Sequence, residues 1–316
     1  IQRSRGLGDV YKRQVLMMRG RYDDAGKQLE LASSLSKNNV TAARIEGKLG
    51  ALAFKQGTLG PAGDFLEKAL TSLGERPPSN GFSVILSLCK EATVQVLRTF
   101  FPSLVGRRNA DSTEGRMDLF RARLFNDFTR VCWYARGVNL CLWSHLRQMN
   151  ITERYPPSAE MANAYSFHSI VMTGLPLANR GKKYAQQSHD IWKDRGDLWG
   201  QGQSLSFYTF SYFVLGEPEK AIETSSRAVE LLEQVGDVWE ANMARMMNTW
   251  SLYHAGDLRG AFRQIKRVLV IGKEVGDYSA MAIALCFWNQ IDPQSAPEGE
   301  MPVSYTHLRA HETSGY

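Results

Sequence analysis

Several things this sequence lacks each exclude a class of protein. It has no run of about 18 apolar residues, so no membrane-spanning helix is expected. Its four cysteines, Cys89, Cys132, Cys141 and Cys286, stand far apart with no Cys-x-x-Cys pair. That spacing gives neither a disulfide framework nor a zinc site and suits mostly buried thiols, so a reducing, cytoplasmic setting is expected. His145, His168, His189 and His254 are equally dispersed, and neither a metal nor a cofactor is expected. Each Gly-Lys pair, at Gly26, Gly47, Gly181 and Gly272, lacks the Ser or Thr that completes a phosphate-binding loop. Nucleotide binding by this segment is therefore not expected.

Both ends carry a signature that is not protein design. Ser4–Gln14, SRGLGDVYKRQ, back-translates to a DNA strand whose reverse complement, read in another frame, encodes Pro302–Glu312, PVSYTHLRAHE. Natural tails have no reason to share one DNA in opposite orientations, so residues 1–14 and 302–316 read as translated library adaptor. Their removal weakens the basic balance. The formal net charge is +6, but Arg3, Arg5, Lys12 and Arg13 against Asp9 hold half of it, while Arg309 and Glu312 cancel. The remaining +3 is scattered rather than gathered in a stripe, so no nucleic-acid partner is expected.

What the sequence does contain is a repeat. Gly196, Gly236 and Gly276 lie 40 residues apart, each followed by Asp, and Gly216 and Gly256 fall midway between them. A glycine every 20 residues marks a helix stop, since the residue after a helix often needs a left-handed backbone. An Asp directly after it can cap the next helix. Within the segments, small residues recur five and twelve positions after the turn glycine. Gly20 is followed by Ala25 and Ala32, Gly57 by Ala62 and Ala69, Gly216 by Ala221 and Ala228, and Gly256 by Ala261 and Val268. Seven residues apart, these share one face and let two helices lie close, while the residue at +2, such as Leu258, is expected to fill the hole at the turn. A degraded copy holds Leu175, Ala178 and Ala185. The fold expected is all-α, an α-solenoid of antiparallel helix pairs.

Gly20-Arg21-Tyr22-Asp23-Asp24-Ala25, Gly57…Ala62…Ala69, Gly216-Glu217-Pro218-Glu219-Lys220-Ala221 and Gly256-Asp257-Leu258-Arg259-Gly260-Ala261 resemble the tetratricopeptide repeat, which implies a superhelix. Only Gly50 matches the family's first-helix glycine; Thr209 and Thr249 replace it elsewhere, and the period of 37 to 40 is long. A narrower likeness rests on Phe65–Leu70 with Leu73-Gly74-Glu75-Arg76-Pro77-Pro78, on Phe100-Phe101-Pro102 and on the Gly-Asp-x-Trp junctions. These resemble the repeat region of large bacterial signalling proteins, in which a switch ATPase is fused to kinase or nucleotide cyclase domains. The resemblance implies a non-catalytic scaffold that binds a protein partner, an inducer or domains of its own parent chain. The alternative it leaves open is the regulatory segment of a parent kinase or cyclase.

The organisation expected is helical repeats over 15–74, a divergent helical segment over 75–156, regular repeats over 157–291 and a linker over 292–301. In the divergent segment Pro77–Gly81 reads as a loop, 83–101 as a helix and 102–114 as a connection. Two further helices, rich in Phe120, Leu124, Phe128, Trp133, Leu140 and Trp143, are expected over 117–150.

For chemistry the sequence offers one pair, Cys141 and His145, four apart on a helix, with no orienting carboxylate. Such a pair on a Trp-rich helix is read as core packing. Trp143, Trp192, Trp199, Trp239, Trp250 and Trp288 are read as core or inter-repeat filler. Asp23-Asp24 and Glu217/Glu219 are read as first-turn acids, and Arg107-Arg108 as a solvated loop. The tetratricopeptide resemblance implies a concave face lined by the first helix of each pair. It falls on Gln203, Ser206, Phe210 and Phe213, on Met243, Met246, Trp250 and Tyr253, and on Asn163 and Phe167. Met and aromatic side chains with a few amides suit an adaptable protein-binding groove, although for Met246 and Trp250 inter-repeat core is the favoured reading.

Overall fold

In the computed structural model the described residues are 22–34, 38–101 and 107–292. The adaptor-like ends 1–14 and 302–316, the turn glycine Gly20 and linker residues 293–301 lie outside them. Thirteen α-helices and no strand are found among the described residues. They are α1 (Tyr22–Ser34), α2 (Asn39–Lys55), α3 (Leu59–Ser72), α4 (Gly81–Phe100), α5 (Thr113–Ala135), α6 (Val138–Thr152) and α7 (Ala159–Gly174). Then follow α8 (Ala178–Asp194), α9 (Leu198–Val214), α10 (Pro218–Val235), α11 (Val238–His254), α12 (Leu258–Val275) and α13 (Tyr278–Ile291).

The 20-residue glycine period becomes a backbone device. Gly196, Gly216, Gly236, Gly256 and Gly276 all have φ between 64° and 83°, the left-handed region that a side chain disfavours. At each, the N–H of the following residue reaches back five positions: Asp197 to Trp192, Glu217 to Tyr212, Asp237 to Leu232, Asp257 to Leu252 and Asp277 to Gly272, at 2.8–3.2 Å. These are Schellman closures, which satisfy the last carbonyls of one helix while the chain reverses. The next helix is then capped by the aspartate side chain. Asp197, Asp237, Asp257 and Asp277 accept from the backbone N–H of Gly200, Glu240, Gly260 and Ala280 at 2.8–3.2 Å. With turns this short, successive helices run antiparallel.

Two compact units form. One contains, of the described residues, 22–25, 55–57 and 201–292; the other contains 26–54 and 58–200. In the first, α10 packs on α11, α11 on α12 and α12 on α13. The small repeat positions Ala221, Ala228, Ala261 and Val268 are fully buried there, with Ile265 and Met246 filling the space between helices. The expectation for the +2 position is met only in part: Leu59 and Pro218 are half-buried, whereas Leu258 is 46% exposed and Leu175 49% exposed. At Leu258 the turn is closed by a backbone bond and the Asp257 carboxylate, so no apolar plug is needed.

In the second unit α3 packs on α5, α5 on α6, α6 on α7 and α7 on α8. Its interior is unusually polar. Ser144, His145, Gln148 and Thr152 on α6 are fully buried, as are Ser166 and Ser169 on α7 and Ser188 on α8. Each makes at least one hydrogen bond, while His145 Nδ1 and Gln148 Oε1 find no partner: Thr129 Oγ1 donates to Ser144 Oγ at 2.9 Å, and Ser188 Oγ donates to the Ala162 carbonyl at 2.7 Å. The divergent segment begins with a capping box at Asn80 and Ser83. Helix α4 is inverted relative to its apolar pattern. It docks on α6 through Glu91 and Gln95, while Phe82, Leu86, Val96, Leu97 and Phe100 are exposed. The tie is Arg147 of α6, which donates to Glu75 at 3.0 Å and Glu91 at 3.3 Å, with Asn150 Nδ2 donating to Glu91 at 2.7 Å.

Candidate functional site

In the first unit α9, α11 and α13 are the leading helices of successive pairs. Their aromatic residues join into one connected row. Phe210 and Phe213 are 6.5 Å apart by ring centroid, Phe213 lies 6.0 Å from Trp250, and Trp250 packs edge-on against Phe287 at 4.8 Å. The exposed His254 touches Phe213, Trp250 and Tyr253. Phe210, Met243, Trp250 and Tyr253 are half-buried, packed on one side and open on the other. Rings held in this way offer large area to a partner with few rotamers left to freeze.

Other residues assigned to the same face point elsewhere. Gln203 is 3% exposed and Met246 1%. Met246 belongs to the core with Ile265, Val268, Ala280 and Ala284, so these two are corrected to interior positions. Met243 is half-buried and packs against the same core, so coverage by the neighbouring helices, not spacing along α11, separates Met246 from Trp250.

On α7, in the second unit, Phe167 is 8% exposed, wedged between Trp133 at 5.9 Å and His145 at 5.0 Å, and is likewise an interior residue. Asn163 is half-buried, and its Oδ1 has no hydrogen-bond partner. Among the tryptophans, Trp143, Trp192 and Trp239 are buried; Trp199, Trp250 and Trp288 are half-buried.

The Cys141–His145 pair does not form a nucleophile and base. Cys141 Sγ donates to the Thr129 carbonyl at 3.5 Å, and His145 Nε2 pairs instead with His168 Nδ1. Burial pushes the Cys141 thiol up to about 12 and raises Cys132 also, so neither is a thiolate at neutral pH. Cys89 and Cys286 are exposed, against the expectation that the thiols are mostly buried. No group of three or more His, Cys, Asp or Glu residues placed to hold a metal ion occurs among the described residues. No helix among them is long and apolar enough to cross a membrane.

Helix pairs with left-handed glycine turns, small residues at the pair interface and no strand among the described residues define the class: an all-α, tetratricopeptide-like solenoid. A solved relative in fold is the crystal structure of a Rap protein complexed with competence and sporulation factor. It matches with a TM-score of 0.54 and 10% sequence identity over 98% of this chain and 86% of that one. At that identity the likeness establishes the fold alone. No protein-family model matches the sequence, and no curated protein does.

Proposed function

We propose that this chain is a non-catalytic protein-interaction scaffold whose partner lies across the leading helices of the first unit. The observation that carries the reading is the connected, half-buried row Phe210, Phe213, Trp250 and Phe287. Catalysis has no support in the second unit's Cys–His neighbours, which are occupied in core hydrogen bonds. The solved relative was crystallised with a bound factor, which agrees with a ligand-binding role for this architecture. The partner is a protein segment or another domain of the same parent chain, read by adaptable apolar contacts rather than by charge.

Selection of a random peptide library on the purified chain tests this, followed by titration calorimetry of the enriched peptides. Trp250→Ala is expected to cost about 2 kcal/mol or more of affinity, as interface aromatics do, with helicity and melting cooperativity retained. Equal binding to the variant would remove the face from consideration. Loss of fold would place Trp250 in the core, and Phe210→Ala, on the same row, would then carry the test.

The sequence likeness to signalling proteins supports a further step, in which the scaffold regulates a neighbouring switch ATPase. The alternative is that it restrains a kinase or cyclase as part of the parent enzyme. Genomic sequence outward from residues 15 and 301 separates these. A phosphate-binding Gly-x-x-x-x-Gly-Lys-Ser/Thr motif upstream favours the switch ATPase; a kinase or cyclase domain without it favours the enzyme.

A further inference from the structure

The second unit contains a cavity of about 910 Å³ that the partner-binding reading does not use. Its floor is a built network. Glu153 accepts from Gln95 Nε2 at 3.1 and 3.3 Å and pairs with Arg98 at 3.7 Å, and Arg98 Nη1 donates to the Asn150 carbonyl at 2.6 Å. Burial raises the Glu153 pKa, opposed by the hydrogen bond from Gln95 and the charge of Arg98. The charge of Arg98 is thus used within the protein.

Three other cations line the cavity and have no such use. Arg180 and Lys183 are exposed on successive turns of α8, and Arg107 is exposed on the loop before α5. Arg180 Nη2 donates to Thr99 Oγ1 at 3.2 Å and stands over the Tyr184 ring at 5.9 Å, which fixes its position without neutralising it. Among the described residues none of the three pairs with a carboxylate. Tyr184 is packed edge-on against Tyr165 at 5.2 Å, so two rings wall the space beside the cations. Asp190 and Asp194, with Arg195, lie two to four turns further along α8, about 15 Å from Arg180 for the first of them at 1.5 Å per residue. The cavity is therefore cationic at one end and mixed at the other.

We propose that this cavity binds a small organic anion, a phosphate monoester or a carboxylate, with its charged group among Arg107, Arg180 and Lys183 and its body against Tyr165 and Tyr184. Guanidinium and ammonium groups converging without a counter-ion supply charge-assisted hydrogen bonds to either kind of anion. Asp190 and Asp194 oppose a second negative group at the far end and so favour a ligand charged at one end only.

Calorimetric titration of the full chain with AMP and with 4-hydroxybenzoate separates the two sources, with adenosine and tyramine as uncharged and cationic controls. At least one anion is expected to bind with a Kd below about 1 mM and to weaken as salt is raised, while both controls fail. The paired change Arg180→Gln/Lys183→Gln, at exposed positions, is expected to reduce that affinity about tenfold or more, whereas Trp250→Ala leaves it unchanged. If the double variant is less stable, Lys183→Glu alone replaces it and is expected to weaken binding to a similar extent. The proposal is overturned if neither anion binds, if the controls bind as well as the anions, or if the variants bind like the parent. Because the two sites use different residues, failure here leaves the partner-binding face untouched, and the reverse holds.

Discussion

His145 Nε2 lies 2.9 Å from His168 Nδ1, and both rings are buried between α6 and α7. One ring must donate and the other accept, so the accepting imidazole must be neutral, and burial disfavours a charge on the donating one as well. Burial lowers His168 to about 4, helped by the nearby Arg180 charge, and holds His145 well below 6.5, helped by His168.

The sign of the pH dependence follows. Between pH 4 and 6.5 the unfolded chain takes up protons that the folded pair refuses, so stability is complete above 6.5 and falls as the pH drops. For His168 alone the loss is about 3 kcal/mol by pH 4. Urea unfolding at pH 5 and pH 7, read by tryptophan fluorescence, checks this. Replacement by His168→Gln is expected to flatten the difference; an unchanged difference would acquit the pair.

Asp277 behaves in the opposite sense. It caps α13, and burial raises its carboxyl to about 6, with the nearby Asp237 adding and the hydrogen bond from the Ala280 N–H opposing. A raised acid stabilises the fold below its unfolded value near 3.8 and loses that contribution as the pH rises through 6. Asp277→Asn keeps an acceptor for the Ala280 N–H without the charge. Its melting temperature is expected to exceed the parent's at pH 7.5 and to show no gain at pH 4. A lower melting temperature at both would mean that the charge matters more to the helix terminus than to burial.

Two glycine-to-alanine changes in helices are expected to differ in sign. A Cβ on Gly181 of α8 would lie 2.6 Å from the Ser169 carbonyl and meet the Thr173 side chain, forcing α7 and α8 apart. Gly181→Ala should destabilise by about 2 kcal/mol, as overpacking does. A Cβ on Gly26 of α1 meets only the Leu52 side chain, at an ordinary 3.5 Å, so Gly26→Ala should stabilise by about 0.5 kcal/mol through helix propensity. Chemical denaturation of the two variants side by side reads both signs.

Arg147 holds Glu75 and the buried Glu91 together. Arg147→Met leaves Glu91 without its cation and is expected to cost about 3 kcal/mol, more than its lost contact area alone. Adding Glu91→Gln should recover part of that loss. A double variant no more stable than Arg147→Met would show that the ion pair is not what fastens α4.

The helix boundaries, the turns and the pair interfaces were legible because each is local. A left-handed residue needs glycine, an N-cap needs a short acceptor, and a close helix contact needs alanine or serine seven residues apart, so the period is written residue by residue. Orientation around each helix was less so. Trp250 and Met246 lie on the same helix and read alike, yet the first is half-buried and the second is core, because the neighbouring α12 and α13 decide which side is covered. Arg107 read as a solvated loop residue, and nothing in its surroundings along the chain signals Arg180, Lys183 or Tyr184. The cavity they share joins residues of four separate segments, and burial behind them turns ordinary side chains into the Gln95–Glu153–Arg98 floor. Backbone conformation depends on a residue and its near neighbours, and so the sequence by itself determined the repeat. Desolvation and convergence depend on what packs from a distance, and only the tertiary structure decided the His145–His168 pair, the reversed face of α4 and the cationic end of the cavity.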